Sequence, residues 1–394
     1  MNENLRKLFD EGAERRGTGC EKWDHVSKYF GHEDVLPLFV ADMDFKTPQP
    51  VADALAAKAQ YGVFGYSLHD HDADEALISW MQRRHGLSLT PDQIRTSPGV
   101  VLSILYALKA LCKPGAKVVV MPPVYGPFFR MVASAGMEVL RCPLKEGANG
   151  RWEMDLPLLA KLCEEQHPGA LLFCSPHNPV SRVWTPDELT ALAAICKQHS
   201  VPIVSDEIHL DFAMPGHKHT SLLNIPGAED AIVLASATKT FNLAALRHSS
   251  ILVKDPNTMA ALDESMSRCG AGEPNLFGEL AQKTAYQTGE PWLEALIEYV
   301  HESALWVRTT LAERLPMIKP APLEGTYLMW LDCRGTGLDH PALVSFMQDK
   351  ARIGLNSGAS FGDEGQGFMR LNLATPRRNI IEAMARLERA VARQ

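Results

Sequence analysis

The chain has 394 residues, a length typical of two or three domains that share a full apolar core. Hydrophobic residues make up 46% of it and charged residues 22%, near the averages for globular proteins, so the composition indicates neither a disordered nor a fibrous protein. The net charge of −8 is spread over interspersed acidic and basic residues, which argues against nucleic acid or an anionic membrane as the partner and favours a small molecule or a protein.

The N-terminal stretch 1–19 is polar and charged. It lacks the apolar core of a secretory signal, and no later apolar run approaches the length that spans a membrane. We therefore expect a cytoplasmic protein without a membrane partner.

Short apolar runs alternate with longer amphipathic segments between about residues 96 and 250. The pattern predicts helices at 100–112, 155–166 and 185–200, and strands at 116–123, 137–144, 170–176, 201–207 and 230–237. Apolar strands that alternate with helices indicate an α/β fold with a mostly parallel sheet covered on both faces. In such sheets, binding residues lie just after the carboxyl ends of the strands.

The last hundred residues follow a different pattern. They predict long helices at 291–315 and 377–393 that flank strands near 325–332 and 367–373. We expect a large domain over residues 47–286 and a smaller α+β domain over residues 287–394, with residues 1–46 packed against the smaller one.

The cysteines and histidines show no pattern of a metal site. The eight cysteines are scattered without a C-x-x-C pair, and several lie in apolar runs, which is typical of small core residues rather than of a disulfide framework. His217 and His219 follow His209, but no cysteine or carboxylate stands at ligand spacing. No metal is expected.

Three polar residues follow predicted strands of the parallel sheet: Asn178, Asp206 and Lys239. Each has an ordinary explanation, since the lysine could extend to solvent, the aspartate could cap a helix or pair with a cation, and Asn-Pro is a common turn. Together they would give one pocket a nucleophile, a carboxylate for a pyridinium nitrogen and a donor to a phenolic oxygen. That is the set of groups that pyridoxal phosphate requires.

A phosphate site is predicted beside them. Gly99 precedes the helix that begins at Val100 and Val101, and backbone N–H groups at a helix start can face an anion. Further donors would come from Ser236, Thr238 and Arg247. Tyr125, which follows another strand, could lay its ring on the cofactor, although it could equally be an aromatic packed in a loop.

Eight motifs extend the pattern over nearly the whole chain. They are LFVADMDF (38–45), GVFGYS (62–67), SPGVV (97–101), PPVYGPF (122–128), SPHNPVSRVW (175–184), SDEIHLDF (205–212), SATKTFNLAAL (236–246) and FMRLNLATPR (368–377). In this order they resemble the pyridoxal-phosphate enzymes of the aspartate-aminotransferase fold (fold type I), specifically the cystathionine β-lyase group of MalY/PatB-type carbon–sulfur lyases.

The resemblance implies a role for each matching residue. Lys239 would be the Schiff-base lysine, Asp206 would bind the pyridine nitrogen, Asn178 would bind the phenolic oxygen and Tyr125 would stack on the ring. For the amino-acid substrate, the resemblance implies binding by Arg370, which would take the α-carboxylate, and by Asp42 and Tyr125. It also implies a homodimer with shared active sites, in which Tyr66 reaches the phosphate of the neighbouring subunit's cofactor and has a catalytic role with Lys239 and Asp206.

His209 fits the lyase group, because related aminotransferases usually carry tyrosine three residues after the aspartate. Three positions depart from the family pattern: Phe39 replaces a usual Trp, Ala245 a common Gly and Thr375 a frequent Cys. We expect these departures to reshape the substrate pocket.

The expected activity is α,β-elimination on L-cystathionine or a related cysteine S-conjugate, which gives a thiol such as homocysteine, pyruvate and ammonia. One alternative is an aminotransferase with the same cofactor. Another is a regulatory, repressor-like protein of the same fold, for which direct DNA binding is disfavoured because no helix-turn-helix extension is present.

Overall fold

A computed structural model of the protein describes residues 2–272 and 275–393. Its helices are α1 Glu3–Glu11, α2 Glu21–Asp24, α3 Val26–Phe30, α4 Gln49–Tyr61, α5 His71–His85, α6 Val100–Leu111, α7 Pro127–Ser134, α8 Leu156–Gln166, α9 Pro186–Gln198, α10 Ala237–Thr240, α11 Pro256–Arg268, α12 Leu276–Thr288, α13 Glu290–Arg314, α14 His340–Ser345 and α15 Arg377–Val391. Its strands are β1 Leu36–Pro37, β2 Ile94–Ser97, β3 Lys117–Val120, β4 Glu138–Arg141, β5 Lys145–Glu146, β6 Trp152–Glu153, β7 Ala170–Cys174, β8 Ile203–Asp206, β9 Ile232–Ala235, β10 Ser249–Val253, β11 Lys319–Pro320, β12 Leu328–Asp332, β13 Ile353–Gly354, β14 Asn356–Ser357 and β15 Phe368–Asn372.

The central sheet has seven strands within the described ranges, in the order β2-β10-β9-β8-β7-β3-β4. The strands from β9 to β4 pair in parallel, whereas β10 is antiparallel to both β9 and β2. The predicted α/β fold with a mostly parallel sheet is therefore confirmed. Neither β2 nor β10 was predicted, because Ile94–Ser97 contains a single apolar side chain and Ser249–Val253 begins with two serines.

Both faces of the central sheet are buried, as the apolar strands predict. Val118 and Val120 of β3 belong to one hydrophobic cluster, and Val119 between them belongs to the other. Successive side chains of a strand point to opposite faces, so a fully apolar strand needs a core on each side.

The predicted strand 230–237 stops earlier than expected. β9 ends at Ala235, and residues 237–240 form the short helix α10, which Ser236 caps by accepting a hydrogen bond from the Thr238 N–H. The polar run of Ser236 and Thr238 ends the strand because these hydroxyls bond the backbone locally. Lys239 therefore lies on a helical turn at the sheet edge.

A second, antiparallel sheet lies in the C-terminal part of the described chain, in the order β11-β12-β15-β14. The N-terminal segment packs with this part: β1 pairs with β13, and Phe9 of α1 contacts Trp292 and Tyr299 of α13. These contacts support the proposed packing of residues 1–46, while the domain boundary near residue 287 stays a prediction.

The cysteines are all free in the described chain, and six of them are buried: Cys20, Cys142, Cys163, Cys174, Cys196 and Cys333. Burial raises the pKa of the Cys112 thiol to about 11 and that of Cys142 to about 12. They pack as small apolar side chains. Among the described helices, none combines the length and apolar character needed to cross a bilayer.

Candidate functional site

The predicted site residues meet where three neighbouring parallel strands end. Asp206 is the last residue of β8, Asn178 follows β7, and Lys239 follows β9 on α10. Cys174 of β7 is level with Asp206, which is level with Leu234 of β9, so the three strand ends are aligned. This edge is the position that the sequence predicts for a binding site.

The Lys239 side chain turns into the protein and is half-buried. Its Nζ donates a hydrogen bond of 2.5 Å to the Ala41 carbonyl oxygen. Burial lowers the pKa of its amine to about 8, with Arg370 acting in the same direction and the Asp42 and Asp206 carboxylates opposing it. The amine is thus partly neutral near pH 8, as a nucleophile or a general base requires.

The Asp206 carboxylate is 3% exposed and lacks an ion-pair partner among the described residues. Within the described chain, the carboxylate accepts one hydrogen bond, from the Ile208 N–H at 3.1 Å. Burial raises the pKa of the carboxyl to about 7, against the opposing effect of Lys239. A buried carboxylate with so few partners carries a desolvation cost that a cationic ring nitrogen would offset.

The Arg370 guanidinium is 4% exposed, and its Nε finds no hydrogen-bond partner in the described ranges. Nη1 donates to Asn178 Oδ1 at 2.9 Å and Nη2 donates to Asn356 Oδ1 at 2.6 Å, while the group lies 4.8 Å from the ring centroid of Phe361. Burial lowers the pKa of Arg370 to about 10. A buried guanidinium held by neutral amides is suited to bind a carboxylate.

His209 and Tyr125 lie beside these groups. The Nδ1 atom of His209 is buried without a hydrogen-bond partner in the part of the chain that the structure describes. Burial, with Lys239 and Arg370 nearby, holds the pKa of His209 well below its usual range, so the imidazole is neutral. Tyr125 is half-buried, and burial raises the pKa of its hydroxyl.

The predicted phosphate residues lie at one edge of the sheet, around the start of β10. Because β10 is antiparallel to β2 and β9, its first residues lie level with the last residues of both neighbours. Gly99 is the N-cap of α6, and no side chain of the described residues caps that helix start. Ser236 Oγ donates to the His248 carbonyl and contacts Thr238 Oγ1, and Arg247 is exposed just before β10.

The N–H groups of Val100 and Val101 open α6 after β2, and the hydroxyls of Ser236 and Thr238 lie at the start of α10 after β9, on the other side of β10. A helix start without a side-chain cap, two hydroxyls and a guanidinium form a donor set that suits a phosphate. Together with Asp206, Lys239 and Asn178, these residues fit pyridoxal phosphate. The fit rests above all on the unpaired Asp206 carboxylate.

Two further predicted residues are Asp42, at the border of this cluster, and Tyr66, outside it. Asp42 pairs with Arg15 at 2.8 Å and lies 3.8 Å from Lys22 Nζ, yet it still acts on the pKa of the Lys239 amine. Tyr66 is fully exposed on the segment between α4 and α5 and does not join the pocket of its own chain.

The three departures from the family pattern lie outside the pocket. Phe39 packs against Tyr29 and Phe30, at centroid separations of 5.3 and 4.9 Å. Ala245 is exposed in the turn after α10, and Thr375 Oγ1 accepts a hydrogen bond from Asn379. These positions give no support to the expectation of a reshaped substrate pocket.

Sequence reasoning missed Ala41, Asn356 and Tyr327. The Tyr327 hydroxyl donates to the same Ala41 carbonyl that accepts from Lys239, at 3.0 Å. Backbone carbonyls leave no sequence signal, and the amide of Asn356 matters only because β14 pairs with β15 opposite Arg370. Tyr327 stands in the predicted strand 325–332, but nothing in the sequence indicates where its hydroxyl points.

A second cluster of titratable groups, His69, His71 and Asp74, lies at the start of α5, with ligand atoms within 4.8 Å of one another. His69 Nε2 lies 2.7 Å from Asp74 and Nδ1 lies 2.5 Å from Glu279 of α12. Both nitrogens of His69 thus contact carboxylates already. The arrangement is that of a partly buried ion bridge rather than of an open metal site.

Comparison with known proteins agrees with this geometry. The family model described as aminotransferase class I and II matches residues 33–387. The chain is 37% identical over 386 residues to cystathionine beta-lyase PatB of Bacillus subtilis (strain 168), which covers 98% of this chain and 100% of that protein. It is 31% identical to Protein MalY of Escherichia coli (strain K12), covering 97% and 98%.

Solved structures show the same similarity. Cystalysin from Treponema denticola, whose crystal structure contains a pyridoxal 5'-phosphate cofactor, superposes with a TM-score of 0.93 at 34% identity and covers 98% of both chains. A carbon–sulfur lyase from Staphylococcus hominis superposes with a TM-score of 0.91 at 26% identity, covering 97% of this chain and 98% of the other.

Proposed function

This chain belongs to the class I and II aminotransferase family, and we propose that it is a pyridoxal-phosphate-dependent carbon–sulfur β-lyase that acts on L-cystathionine or a related cysteine S-conjugate. One observation carries the proposal: Lys239 and Asp206 are desolvated at neighbouring strand ends, the first with a lowered pKa and the second without an ion pair in the described chain. The names of the full-length relatives favour a lyase over an aminotransferase.

The arrangement of the strand ends supports a role for each residue that would hold the cofactor. Lys239 would supply the covalent attachment, Asp206 would bind the ring nitrogen, and Asn178 and His209 would bind the ring from neighbouring loops. Tyr125 would stack on the ring, and Gly99, Val100, Val101, Ser236, Thr238 and Arg247 would hold the phosphate. When bound, the group is an electron sink that stabilises negative charge on the substrate α-carbon.

The chain's own residues then bind the substrate and move its proton. Arg370 binds the α-carboxylate, with Asn178 and Asn356 fixing the plane of its guanidinium. Lys239, whose pKa lies near 8, takes the proton from the α-carbon as general base. The Cβ–S bond breaks and the sulfur leaves with the electron pair, which is favourable because the pKa of a thiol is about 8.5. With L-cystathionine and one water, the products are homocysteine, pyruvate and ammonia.

Product analysis tests the reaction class. Purified protein loaded with pyridoxal phosphate should release pyruvate and homocysteine from L-cystathionine without any added 2-oxo acid. Lys239→Ala should lose this activity together with the visible absorption of the bound cofactor. Turnover that requires a 2-oxo acid would instead establish an aminotransferase and overturn the lyase assignment.

We also propose a homodimer with shared active sites. The last residue of α4 and the segment between α4 and α5 expose several large apolar side chains close together in sequence, which in a folded protein marks an interaction surface. These side chains are Tyr61, Val63, Phe64, Tyr66 and Leu68. A second copy of the chain would cover them and bring Tyr66 to the partner's phosphate site. A cytoplasmic location is part of the same proposal, and cell fractionation tests it.

A further inference from the structure

The segment that carries Ala41 is held by hydrogen bonds at three successive carbonyl groups. Asn372 Nδ2, at the end of β15, donates to the carbonyls of Val40 and Asp42, at 2.7 Å each. Between them, the Ala41 carbonyl accepts from the Tyr327 hydroxyl at 3.0 Å and from Lys239 Nζ at 2.5 Å. Asn372 of β15 and Tyr327, which directly precedes β12, thus fix the backbone beside the lysine amine.

The backbone of this segment is strained. Val40 has φ = 52°, in the left-handed region that a β-branched residue rarely adopts. Such a conformation persists only where surrounding contacts over-determine it, and it occurs most often at functional sites. The bonds from Asn372 and Tyr327 are these contacts.

The Tyr327 ring is itself fixed. It is fully buried and packs against the rings of His209 and Phe212, with centroid separations of 5.7 and 4.9 Å. Its own carbonyl accepts from the Leu373 N–H, next to Asn372. The hydroxyl is therefore aimed at Ala41 by packing on one side and by the sheet on the other.

We propose that Tyr327 is a positioning residue for Lys239: its hydroxyl holds the Ala41 carbonyl as the acceptor for the lysine amine and limits how strongly that carbonyl stabilises the ammonium form. A carbonyl oxygen that already accepts an O–H bond offers less of its charge to a second donor. The Tyr327 hydroxyl therefore favours the neutral amine, which is the form that acts as the base. This inference rests on the proposed role of Lys239.

Other charged and titratable groups also face the Lys239 amine. The Asp42 and Asp206 carboxylates raise its pKa, and the Arg370 guanidinium lowers it together with burial. The neutral His209 imidazole lies on the same side as Tyr327. Removing the Tyr327 hydroxyl leaves these four groups in place. A change in the pKa of Lys239 therefore measures the effect of the hydroxyl.

The direct test measures the pKa of the Lys239 amine in the full-length chain freed of cofactor. Trace acetylation with acetic anhydride across a pH series, with the Lys239 peptide quantified by mass spectrometry, gives this value without any turnover. In Tyr327→Phe we expect the pKa to rise by about half a unit or more. In the enzyme loaded with cofactor, the acidic limb of the plot of kcat against pH should move to higher pH. We expect kcat to be about 10-fold below the wild-type value and KM to stay within about 3-fold of it.

Tyr299→Phe is the matched control. Tyr299 is also buried, donates to Asp10 and accepts from the Arg377 N–H, but it lies far from Lys239 in sequence and in contacts. Tyr299→Phe should lower the melting temperature without changing the pKa of Lys239. Tyr327→Phe can lower the melting temperature as much as Tyr299→Phe does. If the pKa of Lys239 then stays within about 0.2 units of the wild-type value, or falls below it, the positioning role is overturned.

A second variant keeps the proposal testable if Tyr327→Phe does not fold. Incorporation of 3-fluorotyrosine at position 327 preserves the packing and makes the hydroxyl a stronger donor. The lysine pKa should then fall, opposite to the effect of phenylalanine, and an unchanged or higher value contradicts the proposal. Because the labelling needs no cofactor or substrate, its result stands apart from whether the protein proves to be a lyase.

Discussion

Asp206 shows how a binding residue can oppose folding. In the cofactor-free chain its pKa of about 7 lies above the ordinary value of 3.8, so the folded state binds the proton more tightly than the unfolded chain. The stability that this group contributes is therefore present below about pH 4 and is lost as the pH rises through 7. The ionised carboxylate then costs on the order of 4 kcal/mol.

We expect Asp206→Asn to stabilise the cofactor-free protein at pH 8 and to stabilise it much less at pH 5. Denaturant unfolding at the two pH values measures this difference. The same variant should bind pyridoxal phosphate more weakly and lose turnover, because the amide cannot pair with a ring cation. Equal effects at both pH values would show that the carboxylate already has a partner.

Arg370 should act on substrate binding more than on cofactor binding. Arg370→Lys keeps one charge but loses the planar fork that two asparagines align, and we expect KM to rise roughly 30- to 100-fold. The visible spectrum of the bound cofactor should stay the same. Arg95→Lys, at the exposed ion pair with Asp263, is the control and should leave KM unchanged; an unchanged KM in Arg370→Lys would remove Arg370 from the carboxylate site.

The sequence predicts some residues of the site and misses others. Asn178, Asp206 and Lys239 could be predicted because polar residues after apolar parallel strands share one sheet edge. Arg370 and Tyr66 came only from the resemblance to a family. Ala41 and Tyr327 could not be predicted from the sequence. The role of Ala41 depends on a backbone carbonyl, and that of Tyr327 depends on how a distant strand pair places its hydroxyl.

At the scale of elements, α12 joins two parts of the proposed site. Asn275, its N-cap, donates to the Leu246 carbonyl beside Arg247, and Glu279 contacts His69 at the end of the exposed segment 62–70. Lys283 of the same helix bonds Asp70 and Asp72. One helix therefore positions both the predicted phosphate arginine and the base of the segment that bears Tyr66.

The bridge between His69 and its two carboxylates should depend on pH. Burial lowers the pKa of His69, but Asp74 and Glu279 outweigh this and raise it above the ordinary value. The stabilisation is thus complete below about pH 6.5 and is lost as the pH rises through the raised pKa. Hydrogen-exchange protection factors for residues 62–70 should fall over that range.

Glu279→Gln should reduce protection of residues 62–70 at pH 6 and remove most of its pH dependence, since one carboxylate no longer stabilises the imidazolium. Glu294→Gln, at an exposed ion pair with Arg84, is the control. A wild-type segment whose protection does not change with pH would rule out this bridge as its anchor.

The elements themselves were predicted unevenly. Parallel strands and their helices could be read from apolar runs, because both faces of the sheet are buried. β2 and β10 could not, since the antiparallel pair at the sheet edge carries serines, an arginine and a threonine in place of a continuous apolar run. The strained backbone at Val40 has no sequence signature, because long-range bonds from Tyr327 and Asn372 impose it.

At the scale of the whole molecule, the shared-site dimer can be tested by mixing two inactive chains. Lys239→Ala lacks the base, and Tyr66→Ala lacks the residue proposed to cross the interface. A dimer of one chain of each kind has one intact site, so an equal, fully exchanged mixture should regain about a quarter of wild-type activity. Each variant alone is the control, and a mixture no more active than the two separate variants would place Tyr66 in its own chain's site.

The burial of the cysteines bears on the conditions in which such an enzyme works. A carbon–sulfur lyase fills its surroundings with small thiols, which oxidise readily and then exchange with any accessible thiolate on a protein. Here six of the eight cysteines are buried, and raised pKa values keep the thiols of Cys142, Cys174 and Cys333 protonated at neutral pH. The chain is thereby protected from mixed disulfides with the compounds that it releases.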